Sequence, residues 1–343
     1  MHAAHCKKPE QGFMSPVKLG LTTAILPAGE AAVAEAARCL ARGGLVAFPT
    51  ETVYGLGADA TNPAAVARLY QAKGRPAFNP LIAHVDCLEA ARAIGELGPD
   101  AIALAWAFWP GPLTLVVPRA PHCSVADLAT AGLDTVALRV PAHPVAMALL
   151  EAFGKPVVAP SANLSGRVSP TTASHVESDL GGRIDLIIDG GPVEVGVEST
   201  IVGCFAQPML LRPGGVPRTE IERVLGRRLA QPPAEAFSTN SQPLAPGMLA
   251  SHYAPRTPVR LNATRVEPGE ALLAFGPATV TGANAATAVM NLSASGDLAE
   301  AAAHLFGYLR ALDARAATAI AVMPIPADGL GEAINDRLRR AAA

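Results

Sequence analysis

The chain has 343 residues, more than one core usually organises, so two domains are the starting expectation. Half of the residues are hydrophobic and 16% are charged, which permits a large core, and 27 Lys and Arg against 29 Asp and Glu give a formal net charge of -2, which argues against tight non-specific nucleic-acid binding. Cysteines at 6, 39, 87, 123 and 204 make no C-x-x-C pair, so neither a disulfide framework nor a cysteine zinc site is supported, and no apolar run reaches the ~18 residues of a membrane helix.

The first 24 residues carry His2, His5, Lys7 and Lys8 without the apolar stretch of a secretory signal, and read as a disordered tail. From 25 to about 230, short β-branched runs alternate with Ala/Leu-rich stretches. Leu45 to Phe48 reads as a buried strand, and Asn62-Pro63 opens a helix with Asn at the cap and Pro in the first turn. Strands follow at Leu113 to Val117, Val136 to Val140, Val157 to Ala159, Ile184 to Ile188, Ser199 to Val202 and Met209 to Leu211. Helices fall near 144–153 and 172–180, with Gly154 and Gly181 as C-terminal caps, and Thr219 and Glu222 have capping-box spacing. Many strands end in Pro or Gly, which suits an α/β sheet with a groove at its strand ends. A Pro/Ser-rich linker spans 231–257. The remainder, 258–343, reads as a small α/β domain with strands at Val259 to Leu261, Ala271 to Phe275, Ala288 to Leu292 and Ala319 to Val322, and helices near 297–314 and 330–342.

The densest chemistry follows the strand at Leu45. In Pro49-Thr50-Glu51-Thr52-Val53-Tyr54-Gly55-Leu56-Gly57-Ala58-Asp59-Ala60, the glycines imitate a dinucleotide fingerprint, but the helix begins after them and no strand ending in Asp or Glu follows. Lys73 and Arg75, beside Gly74 and Pro76, read either as a triphosphate clamp or as a solvated helix end whose cations answer the dipole. His84 lies in an otherwise apolar strand, where a satisfied core histidine is the commoner case. Arg139, Pro160 to Gly166, Gly196 to Thr200 and Leu210 to Gly215 each place polar groups at a strand end, where ligand contact and turn formation explain them equally.

PTETVYGLG, KGRP with NPL, WPGPLT, VALRVP, PSANLSG, ESTIV and LRPGG recur in this order in YrdC-like proteins, the L-threonylcarbamoyladenylate synthases, and this chain resembles their longer two-domain form over about 25 to 343. The resemblance implies a YrdC-like twisted sheet with a concave groove, plus a small C-terminal α/β domain of Rossmann-like type. It implies threonine contacts at Thr52, His84, Arg139, Ala159 and Ser199, and ATP contacts at Arg75, Asn79, Thr135, Ser161, Ser169, Arg212 and Tyr253. Lys73 and Arg75 would serve the phosphates, and the linker around His252 and Tyr253 would fold back as a lid, although Leu249-Ala250-Ser251 departs from the family pattern.

The implied reaction consumes L-threonine, bicarbonate and ATP, with Mg2+ on the triphosphate. It yields L-threonylcarbamoyl-AMP for a cytoplasmic tRNA threonylcarbamoyl-transferase complex. It needs positioning and cations rather than an enzyme nucleophile, and the sequence offers no convincing triad. The rival reading is a non-catalytic RNA-binding factor using the same groove, a reading weakened by the net charge and by only 4 Tyr and 2 Trp.

Overall fold

Several local signals coincide with elements of the computed structural model, which describes residues 21–231, 243, 245–246, 253–277 and 280–343. The chain opens with β1 (Ala24–Pro27), α1 (Glu30–Ala41), β2 (Val46–Pro49), β3 (Tyr54–Asp59) and α2 (Pro63–Lys73). Asn62 Oδ1 accepts hydrogen bonds from the backbone N–H groups of Ala64 and Ala65, and Gly74 closes α2 in the left-handed conformation at φ 61. There follow β4 (Ile82–His84), α3 (Leu88–Ile94), α4 (Pro99–Phe108), β5 (Leu113–Pro118), β6 (Thr135–Arg139), α5 (Pro144–Phe153), β7 (Val157–Val158) and α6 (Ala173–Leu180). The first unit ends with β8 (Leu186–Asp189), β9 (Thr200–Gly203), β10 (Met209–Arg212) and α7 (Arg218–Leu225).

These strands form one mixed 10-stranded sheet in the order β1-β8-β2-β3-β7-β4-β6-β5-β9-β10. One face is covered by α1 and α5, which bury Leu40, Leu149 and Leu150 against Phe48 and Val157. The other face carries the larger core, in which Leu56, Leu69, Leu104, Leu115, Leu138 and Ile221 are all fully buried. At roughly 1.5–3 kcal/mol for each such side chain, these cores fix the strand order, because a one-residue slip would turn the apolar set toward solvent.

The second unit comprises β11 (Val259–Arg260), β12 (Ala271–Ala274), β13 (Val289–Asn291), α8 (Leu298–Asp313), β14 (Ile320–Val322) and α9 (Gly331–Ala341). Its four strands are all parallel, in the order β11-β14-β12-β13, as a Rossmann-like sheet requires. The two units share a core. Val53, Val168 and Val197 of the first pack with Tyr253 and with Leu305, Phe306 and Ile334 of the second. Arg310 pairs with Asp179 at 2.6 Å and Arg218 with Glu332 at 2.5 Å across the same interface.

Several sequence expectations change. Residues 54–59 form a strand rather than a glycine-rich connection: a Cβ on Gly57 would stand 2.8 Å from the Phe48 ring and 3.0 Å from Val157, so close packing, not phosphate binding, accounts for that glycine. The capping box at Thr219 and Glu222 does not form. Pro217 caps α7 without a side-chain bond, and Glu222 instead accepts from the Leu229 N–H at 3.0 Å. Gly181 caps α6 as expected, its N–H donating to the Glu177 carbonyl at 2.8 Å, but at φ -54; the left-handed residue is its neighbour Gly182 at φ 78. The elements β1, α1, α3 and α4 have no counterpart in the sequence reading. The tail expected over 1–24 lies outside the described residues as far as residue 20, and Ala24 already begins β1.

Gly196 marks where the units meet. It has φ 75, and a Cβ there would lie 2.2 Å from the Ala302 carbonyl oxygen in α8. Gly196→Ala should therefore destabilise the protein by roughly 1–3 kcal/mol through backbone strain and forced separation of α8. A urea midpoint indistinguishable from that of the parent protein would show that the interface tolerates a side chain.

Candidate active site

The β2–β3 turn opens the site. Thr50 Oγ1 accepts from the backbone N–H groups of Thr52 (3.2 Å) and Val53 (3.3 Å) and donates to the Val53 carbonyl (2.7 Å), tying Thr50 to Val53 into a rigid corner. That corner projects Glu51 and Thr52 toward the C-terminal end of β6. There Arg139 donates from Nη2 to Glu51 Oε1 (2.5 Å) and Thr52 Oγ1 (3.1 Å), and from Nε to the Gly111 carbonyl (3.2 Å). Burial pushes the Glu51 carboxyl up, but Arg139 outweighs it and holds the group below the usual carboxylate range.

Thr52, Arg75, His84, Arg139, Ala159, Ser161, Ser199, Arg212 and Tyr253 line one cavity, joined by Val53, Ile82, Pro160, Glu198 and Pro246. The space left within it is only about 50 Å³. Residues from seven separate stretches of the chain thus converge on one cavity. Met248 and His252 of the expected lid, and Leu249-Ala250-Ser251, lie outside the described residues, while Pro246 and Tyr253 on either side of them reach the cavity.

Four expected site residues stand back from that wall. Lys73 is 2% exposed, which rules out the solvated helix end, and its Nζ donates to the carbonyls of Ser161 and Asn163, each at 2.5 Å. It fixes the loop after β7 from behind, and burial holds its ammonium well below the usual lysine value. Ser169 donates to Glu198 Oε1 at 2.5 Å. Asn79 is 1% exposed and its Oδ1 accepts no hydrogen bond among the described residues. Thr135 begins β6 two residues before the Ala137–Ile82 pair, so it flanks Pro80, next to Asn79. Asn79 and Thr135 therefore mark one end of the parallel β4–β6 pair, and His84 and Arg139 the other, four residues or about 13 Å away.

The charge of the cavity is lopsided. Arg75 donates to the carbonyls of Asn79 (3.3 Å) and Pro80 (3.0 Å), and Arg212 donates to the Ser199 carbonyl (2.8 Å), Ser199 Oγ (3.1 Å) and the Pro246 carbonyl (3.4 Å). Neither forms an ion pair with a carboxylate among the described residues. Burial, opposed only weakly by nearby tyrosines, pulls Arg75 down to about 10 and lowers Arg212 as well. Carbonyl dipoles keep both guanidiniums soluble in the interior without cancelling their charge, so an anionic ligand is the natural complement.

Sequence reading missed Glu51, Glu198 and Asn163. Asn163 supplies a carbonyl to Lys73 and donates from Nδ2 to the Leu164 and Arg167 carbonyls, both at 2.8 Å, so it shapes the loop that presents Ser161. An acidic residue in a cationic groove gives no signal until its partner is known, and for Glu198 that partner is Arg337, 139 residues away.

His84 is 2% exposed and donates from Nδ1 to the Ile82 carbonyl at 3.2 Å. Burial, then the nearby Arg139 charge, depresses it to about 3, so it is neutral at physiological pH. An unfolded imidazole binds its proton near pH 6.5, well before the folded one. The stability that His84 contributes is thus complete above about pH 6.5 and is lost as pH falls toward 3, by up to about 1.4 kcal/mol per unit. Urea midpoints of His84→Gln should fall less steeply from pH 7 to 4.5 than those of the parent protein; parallel slopes would mean that other groups carry the acid lability.

A family model described as "Telomere recombination" matches residues 38–214, and a "Threonylcarbamoyl-AMP synthase, C-terminal domain" model matches 216–343. The chain is 42% identical over 323 residues to the threonylcarbamoyl-AMP synthase of Bacillus subtilis, covering 90% of this chain and 92% of that one. It is 43% identical over 324 residues to the enzyme of the same name from Pyrococcus abyssi, covering 90% and 93%. The solved structure of P. abyssi Sua5 complexed with L-threonine superposes with a TM-score of 0.85 at 39% identity, over 93% of this chain and 97% of that one. The chain belongs to the Sua5/YciO/YrdC family, in the form that carries the threonylcarbamoyl-AMP synthase C-terminal domain.

Proposed function

We propose that the protein is an L-threonylcarbamoyladenylate synthase: L-threonine, bicarbonate and ATP give L-threonylcarbamoyl-AMP, pyrophosphate and water, the first step of threonylcarbamoyl-adenosine modification of tRNA. The single observation that carries this is one cavity lined by two buried guanidiniums, Arg75 and Arg212, that meet no carboxylate ion-pair partner among the described residues, with a third, Arg139, at the far end of the β4–β6 pair from Arg75 and level with Arg212 across β5 and β9. A threonine carboxylate beside Arg139 and a triphosphate reaching Arg75 and Arg212 fit that arrangement.

In this reading Arg139, Thr52, Ala159 and Ser199 bind the amino acid beside a neutral His84. Arg75, Asn79, Thr135, Ser161, Arg212 and Tyr253 receive ATP, while Lys73 and Ser169 support the loop between them. The threonine nitrogen attacks carbon dioxide or bicarbonate and loses a proton to give a carbamate. A carbamate oxygen then attacks the α-phosphorus, and the bond to the β-phosphate bridging oxygen breaks to release pyrophosphate. No side chain need become covalently attached, and the guanidiniums act by position and by charge that grows more favourable as the leaving group develops. No trio of His, Cys, Asp or Glu forms a metal site among the described residues, and Glu51 and Glu198 are taken up by arginines. We therefore assign Mg2+ to phosphate oxygens of bound ATP and to water, where it would neutralise triphosphate charge.

We assign 25–230 to the catalytic domain, 231–257 to a linker whose ends close the cavity, and 258–343 to the second domain. No helix among the described residues is long and apolar enough to cross a membrane, and we propose that the product is passed in the cytoplasm to a tRNA threonylcarbamoyl-transferase complex.

Pyrophosphate release should require threonine, bicarbonate and ATP together; release with threonine omitted would overturn the assignment. Arg139→Lys keeps the charge but not the fork that spans two acceptors, and should raise the KM for threonine about tenfold or more while moving that for ATP by less than about threefold. Equal effects on both substrates would remove Arg139 from the amino-acid end.

A further inference from the structure

Glu198 forms part of the cavity wall and is 6% exposed. Its Oε1 accepts from Ser169 Oγ at 2.5 Å and its Oε2 accepts from Arg337 Nε at 2.8 Å. Arg337 belongs to α9, in the second domain, and is fully buried; Nη1 donates to Asp336 Oδ2 at 2.7 Å, and the Tyr253 ring lies 5.2 Å from the guanidinium carbon. The second domain therefore places a charged side chain directly behind two residues of the cavity wall, Glu198 and Tyr253.

The carboxylate of Glu198 also feels the charge of Arg212, which lines the same cavity and forms no ion pair with a carboxylate among the described residues. Two opposite charges in a dry interior attract strongly, and a buried carboxylate stripped of its partner either protonates or takes the next cation within reach. For Glu198 the next cation is Arg212. Such a pair would cancel the charge that Arg212 offers to a ligand and would put a negative oxygen where phosphate must lie.

We propose that Arg337 is a positioning residue of the reaction: by holding Glu198 from the second domain, it keeps Arg212 available to the anionic nucleotide. This rests on the reading of Arg212 as an ATP contact. It gives the second domain a chemical role in the site, and it makes nucleotide affinity depend on α9 being docked.

The experiment uses the full-length protein and steady-state pyrophosphate release. The parent protein must first show turnover dependent on threonine and bicarbonate; without that, the functional reading fails, independently of Arg337. Arg337→Gln should then raise the KM for ATP at least tenfold, with a much smaller change in the KM for threonine. Adding Glu198→Gln to it removes the stray carboxylate and should bring the KM for ATP back to within about threefold of the parent value. A purely structural role would lower the melting temperature and the active fraction without moving the KM for ATP, and the second substitution would restore nothing; either result overturns the proposal. Should Arg337→Gln not fold, Glu198→Gln alone decides. The proposal expects a KM for ATP at or below the parent value, whereas a tenfold rise would make Glu198 itself a nucleotide contact and overturn it.

Discussion

Three guanidinium groups buried around one small cavity are the constraint to which the rest of this structure answers. An ionised side chain taken out of water costs several kcal/mol unless it is partnered, so each arginine dictates the backbone around it. Arg139 is answered by Glu51, which the rigid Thr50–Val53 corner delivers. Arg75 and Arg212 are answered by the carbonyls of Asn79, Pro80, Ser199 and Pro246. Regular strands spend their carbonyls on neighbouring strands, so these acceptors come from irregular, proline-rich segments at strand ends. Prolines that interrupt the sheet are thus part of how the cavity holds its charge.

The same logic explains why the polar residues divide into wall and support. Lys73 would add a fourth positive charge to an already cationic space, yet its ammonium is turned to two carbonyls behind the loop that carries Ser161. Its low proton affinity follows from burial first and from Arg75 second. His84, neutral for similar reasons, adds hydrogen-bonding capacity without charge. Arg75 and Arg212 keep positive charge that no carboxylate ion pair cancels among the described residues, whereas Arg139 is balanced by Glu51 and His84 is neutral, an arrangement that suits a phosphate chain beside a zwitterionic amino acid.

The second domain is no appendage. Phe306 stacks on Tyr253 at 5.5 Å between ring centroids, Gly196 leaves room for α8, and Arg310 and Arg337 reach back to the first domain. Buried apolar contact supplies the affinity between the units, whereas the ion pairs fix their orientation, since charges half-buried at an interface discriminate register more than they stabilise it.

What the sequence alone determined was local or family-borne. Asn62 and Pro63 start a helix, Gly74 and Gly154 end helices, β-branched runs form β5, β6 and β9, and seven short segments in fixed order name a family and most of its cavity. What only the tertiary structure decided was every relation between distant residues. Tyr54 to Asp59 becomes a strand because Phe48 and Val157 demand glycine at 57, which no local preference encodes. Lys73 reads on spacing as a solvated cation and is instead 2% exposed, because α2 packs its last turn under a loop ninety residues away. The pairing of Glu198 with Arg337 carries no signal in the chain, since an ion pair between two domains exists only once both have folded and docked; capping and turn formation act over a few bonds, whereas burial and charge pairing act through space.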